Sequence, residues 1–162
     1  MAASSTKKVV VRRFDREPLP GFVSVLTFQQ PDGIELLKQD GEMARIAYED
    51  VKSVCFVKDF ENIRDTGEGR QFQTRPKLEG LWVRMTFRDG EVLDGVLANN
   101  LLLLDPQGYM VTPPEPYANN QRIFVPRNAL RSIQVLAVVG SPLRKPAVRR
   151  VKPDAAQGGL FE

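Results

Sequence analysis

Asn119-Asn120-Gln121-Arg122 sets four hydrogen-bonding side chains in a row, directly after a proline-rich stretch that carries Tyr117. Amides and a guanidinium can grip a base edge or a peptide backbone, and a phenol can stack on a base. The same run also suits a plain turn, because asparagine tolerates left-handed backbone on the way into a strand at Ile123. Arg144, Lys145, Arg149, Arg150 and Lys152 form a basic cluster suited to a phosphate backbone, or simply to keeping a tail solvated. Gln157, Leu160 and Phe161 put an apolar pair into a polar terminus, a pattern that docks on grooves. Catalytic chemistry finds little support. The chain has no histidine, hence no usual general base and no Ser-His or Cys-His nucleophile pair. Asp89 and Glu91 flank a turn and read as solvated carboxylates, and Cys55, between Val54 and Phe56, reads as a small buried hydrophobe. No catalytic residue, metal or cofactor is expected.

The elements that would position these residues must come from 162 residues with 42% apolar content, 12 Gly and 12 Pro, which favours many turns and few long helices. No apolar run approaches the ~18 residues of a membrane span. The N-terminal MAASSTKK lacks an apolar stretch behind its lysines. With one cysteine the chain has no internal disulfide framework. A cytoplasmic protein without a membrane segment is the expectation. The net charge is +3. Residues 8–139 hold 17 Lys/Arg against 18 Asp/Glu, and the two ends hold 6 against 2. The basic excess therefore belongs to the ends, and the expected folded part is not a general polyanion binder. Lys7, Lys8, Arg12, Arg13 and Arg16 suggest a basic strand edge, but Arg12 and Arg13 are adjacent and must face opposite sides.

The sequence repeats itself. Leu19–Val23 (LPGFV) matches Leu93–Leu97 (LDGVL), each after an apolar run, Val9–Phe14 and Leu81–Phe87. Ala44–Val57 matches Gln121–Leu136: both begin with an Arg-Ile step and reach an apolar-basic-Ser-apolar tetrad, Val51–Val54 and Leu130–Ile133. A unit of ~70 residues is too long for a solenoid repeat and suits a small barrel. Val83, Met85 and Phe87 alternate with Arg84, Thr86 and Arg88, the period of a half-buried strand. Asp89-Gly90 predicts a type I′ hairpin turn, and Gly21 and Gly95 predict bends inside strands. Leu101–Leu104 and Val135–Val139 are apolar runs of strand length, and Trp82 is expected in the core or between the repeats.

The stretch Val83–Asp105, an apolar strand, Asp-Gly, a glycine-bent strand and then NLLLLD, resembles the first motif of Sm-like domains. Ile46–Val57 and Ile123–Leu136 resemble the last two strands of the same barrel. The whole pattern, with NNQRIFV (Asn119–Val125), is also similar to an uncharacterised family of bacterial domains found alone or attached to signalling modules. The resemblance implies five bent antiparallel strands per unit and, in ring-forming relatives, single-stranded RNA binding. Only Asn100 matches the RNA pocket: the acidic position before it is missing, and Arg127 is followed by Asn128 instead of glycine. Gln157-x-x-Leu160-Phe161 resembles the peptide by which bacterial proteins dock on the replication sliding clamp.

The expected fold is all-β: two tandem five-stranded Sm-like (SH3-like) barrels related by internal duplication. They span residues 8–58 and 81–139, with a flexible start at 1–7, a polar linker at 59–80 (a mobile loop, or a lid docked by Phe72) and a disordered basic tail at 140–162. The expected function is non-catalytic protein–protein binding by a monomer or small homo-oligomer, with the sliding clamp as one candidate partner. The alternative is single-stranded RNA or DNA binding through Asn100, Tyr117, Asn119, Asn120, Arg122 and the basic tail.

Overall fold

The computed structural model describes residues 6–61, 71–100, 102, 104–114 and 120–140. Its described part is all-β. The strands are β1 (Thr6–Arg13), β2 (Leu19–Ser24), β3 (Gln29–Gln30), β4 (Gly33–Lys38), β5 (Met43–Ala47), β6 (Val51–Val57), β7 (Gly80–Phe87), β8 (Val92–Leu97), β9 (Gly108–Thr112), β10 (Asn120–Pro126) and β11 (Leu130–Val139). One-turn 3-10 helices at Tyr48–Asp50 and Arg127–Ala129 join β5 to β6 and β10 to β11.

All eleven strands belong to one open antiparallel sheet, ordered β11-β7-β8-β9-β10-β6-β1-β2-β4-β3, with β5 on β4. This corrects the expectation of two closed tandem barrels. The physical reason lies at the junction, where β10 pairs with β6 through Arg122↔Phe56, Ile123↔Cys55 and Phe124↔Val54. Continuous hydrogen bonding there makes a single sheet of the two halves. With the two-residue β3 left out of the count, the strand order within each half is nevertheless the same: last, first, second, third, fourth. The bending glycines also share a register, Gly21 opposite Val9 and Gly95 opposite Val83. A Cβ on Gly21 would lie 2.6 Å from the carbonyl oxygen of Leu37, so only glycine admits the crossing of β4 there.

Two cores form, one on each side of the junction. Val9, Val11, Val54 and Phe124 face the first, and Val10, Cys55, Ile123 and Val125 face the second. Strands β1, β6 and β10 are thus covered on both faces, and the consecutive Val9-Val10-Val11 replaces the alternation of a half-buried strand. Phe28, from the first half, sets its ring edge-on to Phe124 at 5.4 Å, from the second. Because β1 lies between β2 and β6, it is not the solvated basic edge read from Lys7–Arg16. Two guanidinium nitrogens of Arg12 are buried without a hydrogen-bond partner.

Two further local readings change. The β7–β8 turn is not type I′: the Gly90 N–H bonds to the Phe87 carbonyl at 2.9 Å, the Phe87 N–H to the Glu91 carbonyl at 2.8 Å, and Gly90 has φ 95°. This is a type I turn closed by a left-handed glycine. The same Asp-Gly-Glu solution recurs at Asp40-Gly41-Glu42, where Gly41 has φ 94°. Nor do Leu102 and Leu104 lie in a strand. Leu102 is 90% exposed in the β8–β9 loop, and β9 begins only at Gly108.

Candidate binding sites

Along the junction, two adjoining cavities of about 310 and 280 Å³ share Val25, Met110 and Arg122. Antiparallel pairing places Arg122 on β10 opposite Phe56 on β6. The first cavity has an apolar floor of Phe56, Val57 and Met110 and a basic rim of Lys7, Lys8 and Arg122, with no carboxylate in its lining. The second runs past Phe28 and Tyr109 to Asp105. A flat apolar surface under cations suits a base with its phosphate, or an acidic side chain beside an apolar one.

A different kind of surface lies at the end of the sheet. Strand β11 pairs with β7 along one edge, from Leu130↔Phe87 to Val139↔Gly80. Among the described residues its other edge carries no strand. Val135 and Val138 are 56% and 51% exposed on it. Its Val138 carbonyl accepts from Arg75 Nη2 at 2.7 Å, and where backbone donors and acceptors of an open edge are unpaired they form a template for strand addition.

Of the residues singled out in sequence, Arg122 reaches the junction groove. Asn120 lies in β10 with its backbone opposite Val57. Asn100 accepts a hydrogen bond from the Leu102 N–H at 2.9 Å, so its side chain shapes a turn. Tyr117, Asn119, Arg144, Lys145, Arg149, Arg150, Lys152, Gln157, Leu160 and Phe161 lie outside the described residues.

Two buried charge sites were not anticipated. Asp94 is fully buried in β8 and accepts four hydrogen bonds: from Arg84 Nε and Nη2 at 2.7 and 2.9 Å, Trp82 Nε1 at 3.2 Å and the Phe72 N–H at 3.1 Å. Burial pushes its carboxyl upward, but the Arg84, Phe72 and Trp82 hydrogen bonds outweigh burial and hold it below the usual range. Trp82 is therefore a half-buried clamp residue instead of core, and Phe72 stands edge-on to its ring at 6.0 Å. Within the polar linker, Phe72 is held by its N–H bond to Asp94 and its edge-on contact with Trp82. The sequence reading missed this pair, since a two-residue turn at Asp89-Gly90 would set Arg84 opposite Gly95, and the observed longer turn shifts it opposite Asp94.

Lys52, only 7% exposed at its side chain, spans the two halves. Its Nζ donates to Asp89 at 2.7 Å and to Glu91, and sits 5.0 Å from the centroid of the Phe87 ring. Burial raises the Asp89 carboxyl, but the hydrogen bond from Lys52 brings it below its ordinary value. Asp89 and Glu91 are exposed, as expected of carboxylates flanking a turn, and in addition partner a buried lysine. No local signal marks this pairing, whose members lie 37 and 39 residues apart. Cys55 is buried, as its neighbours suggested. Among the described residues no group of acidic, Cys or His side chains is arranged to hold a metal, and no helix is long and apolar enough to cross a membrane.

These features define an all-β protein with a continuous antiparallel sheet, a groove at its centre and an open edge at its end. The chain belongs to DUF6982, a family of unknown function whose model matches residues 5–137, the two halves together. No curated protein and no solved structure matches it.

Proposed function

We propose that this chain is a non-catalytic cytoplasmic binding protein of the adaptor kind, which takes a protein segment as an added strand on β11. The open outer edge of β11 carries this reading. Its ten residues include exposed Val135 and Val138, with the Val138 carbonyl accepting from Arg75 Nη2 at 2.7 Å. Main-chain hydrogen bonds along such an edge give affinity, and alternate side chains give selectivity. The near-neutral charge of residues 8–139 agrees with recognition that does not rest on polyanion attraction. In this reading the halves are opened relatives of Sm-like barrels related by duplication, for which the shared strand order and shared glycine register are the support. The test is selection from a displayed library of extended peptides, with affinities then measured by titration calorimetry. The expected peptides bind with little salt dependence and lose affinity in the Val135→Lys variant. Selected peptides indifferent to β11 substitutions would overturn the reading.

The junction groove favours a second reading, single-stranded nucleic acid held by Lys7, Lys8 and Arg122 with a base on Phe56 and Met110. Fluorescence anisotropy of labelled RNA and DNA at two salt concentrations tests it. Binding should weaken steeply with salt, and Arg122→Ala should reduce the slope by about one. Binding unaffected by Arg122→Ala but lost on removal of residues 141–162 would assign it to the basic tail.

A further inference from the structure

The junction between the two halves indicates what fits the open edge. Strand β6 closes the first half, follows a 3-10 turn and pairs with that half's first strand, β1; β11 does the same against β7. The outer edge of β6 is filled by β10, the fourth strand of the other half. The outer edge of β11 is open among the described residues, and so is that of β5, the fourth strand of the first half, which pairs only with β4. The molecule thus contains one completed contact between a fourth and a last strand, and the two unmatched halves of another. We infer that β11 takes β5 of a second copy of this chain. The inference rests on the reading of β11 as the docking edge.

The completed contact sets the register of the open one. Arg45-Ile46 corresponds to Arg122-Ile123, and Val51–Val57 to Leu130–Leu136. Arg122↔Phe56, Ile123↔Cys55 and Phe124↔Val54 therefore become Arg45 opposite Val135, Ile46 opposite Gln134 and Ala47 opposite Ile133. Asn120↔Val57 becomes Met43 opposite Leu136. Met43 and Val135, both more than half exposed, would be covered. No like charges meet in this register, because Arg45 is the sole ionised residue of β5 and Arg131 lies beyond the paired positions. The contact is heterologous, so it propagates into a ring if the rotation closes and a filament if it does not.

Light scattering coupled to gel filtration, with the full chain over a wide concentration range, tests the inference. The expected mass exceeds the 18.2 kDa of one chain and rises with concentration, to a plateau for a ring or without one for a filament. Arg45 already pairs with Asp32 at 2.7 Å and Glu35 at 3.4 Å, so Val135→Glu sets a third carboxylate there and should weaken association roughly fivefold or more, whereas Val135→Thr keeps a β-branched side chain and should preserve it. Both positions are exposed, and circular dichroism checks that the variants fold. Mixing Arg45→Cys chains with Val135→Cys chains should give an intermolecular disulfide under mild oxidation. A single-chain mass at every concentration with no such disulfide overturns self-pairing. If selected peptides still bind at β11 in that case, the docking edge stands and only its occupant is wrong; if they do not, both readings fall.

Discussion

Replacing Asp94 by asparagine should unclamp the start of the second half. The carboxylate is fully buried and accepts four hydrogen bonds, two of them from Arg84. Asparagine keeps the shape but removes the charge, and turns an NH2 group toward donors. Breaking a buried pair costs about 3–5 kcal/mol when the remaining charge is stranded. The Arg84 side chain is 32% exposed and can partly rehydrate, which puts the expected loss at the lower end, about 3 kcal/mol. For a chain of this length that lowers the melting temperature by about 6–12 °C. Urea unfolding followed by circular dichroism measures the loss. Trp82, the single tryptophan, reports the site by fluorescence, and hydrogen exchange over residues 71–79 should rise as the Phe72 N–H loses its acceptor. A loss below about 0.5 kcal/mol, with unchanged tryptophan emission, would refute the assignment of Asp94 as the clamp, since surface changes typically stay within that margin.

Lys52→Met should be nearly neutral, within about 1 kcal/mol, because Asp89 and Glu91 are 40% and 49% exposed and methionine can fill the space beside Phe87. Lys52→Glu, which buries an anion beside two others, should cost about 3 kcal/mol or more in the same unfolding assay. Gly21→Ala pushes a methyl against the Leu37 carbonyl and should cost about 2 kcal/mol, without changing the slope of the urea transition. The pH dependence should show two flanks. Asp94 and Asp89 titrate below the ordinary carboxylate value when folded, so their stabilisation holds above about pH 4 and is lost as the pH falls further. Burial, reinforced by the Asp32 carboxylate, pushes the Tyr48 phenol up to about 12. Its stabilisation is complete below about pH 10 and fades as the pH rises toward 12, which ultraviolet titration of folded and unfolded protein would show.

The sequence by itself determined the features that depend on neighbours in the chain. Alternation around Val83–Phe87 set a half-buried strand, Asp-Gly-Glu set the same turn at two unrelated places, and the paired glycines and Arg-Ile steps marked two similar halves. Only the tertiary structure decided how the halves meet. Val9-Val10-Val11 is apolar throughout because two cores flank it, a fact that no period within the strand encodes. Leu101–Leu104 is an apolar run of strand length, yet Leu102 is solvated, since an apolar run specifies burial only when a neighbouring surface lies there to receive it. Lys52 found its carboxylates, and Arg122 its groove, across the β6–β10 junction. Hydrogen bonding between sheet edges is carried by the backbone and is nearly blind to side-chain identity, so local patterns could predict strands while leaving open which edges would join and which would remain free.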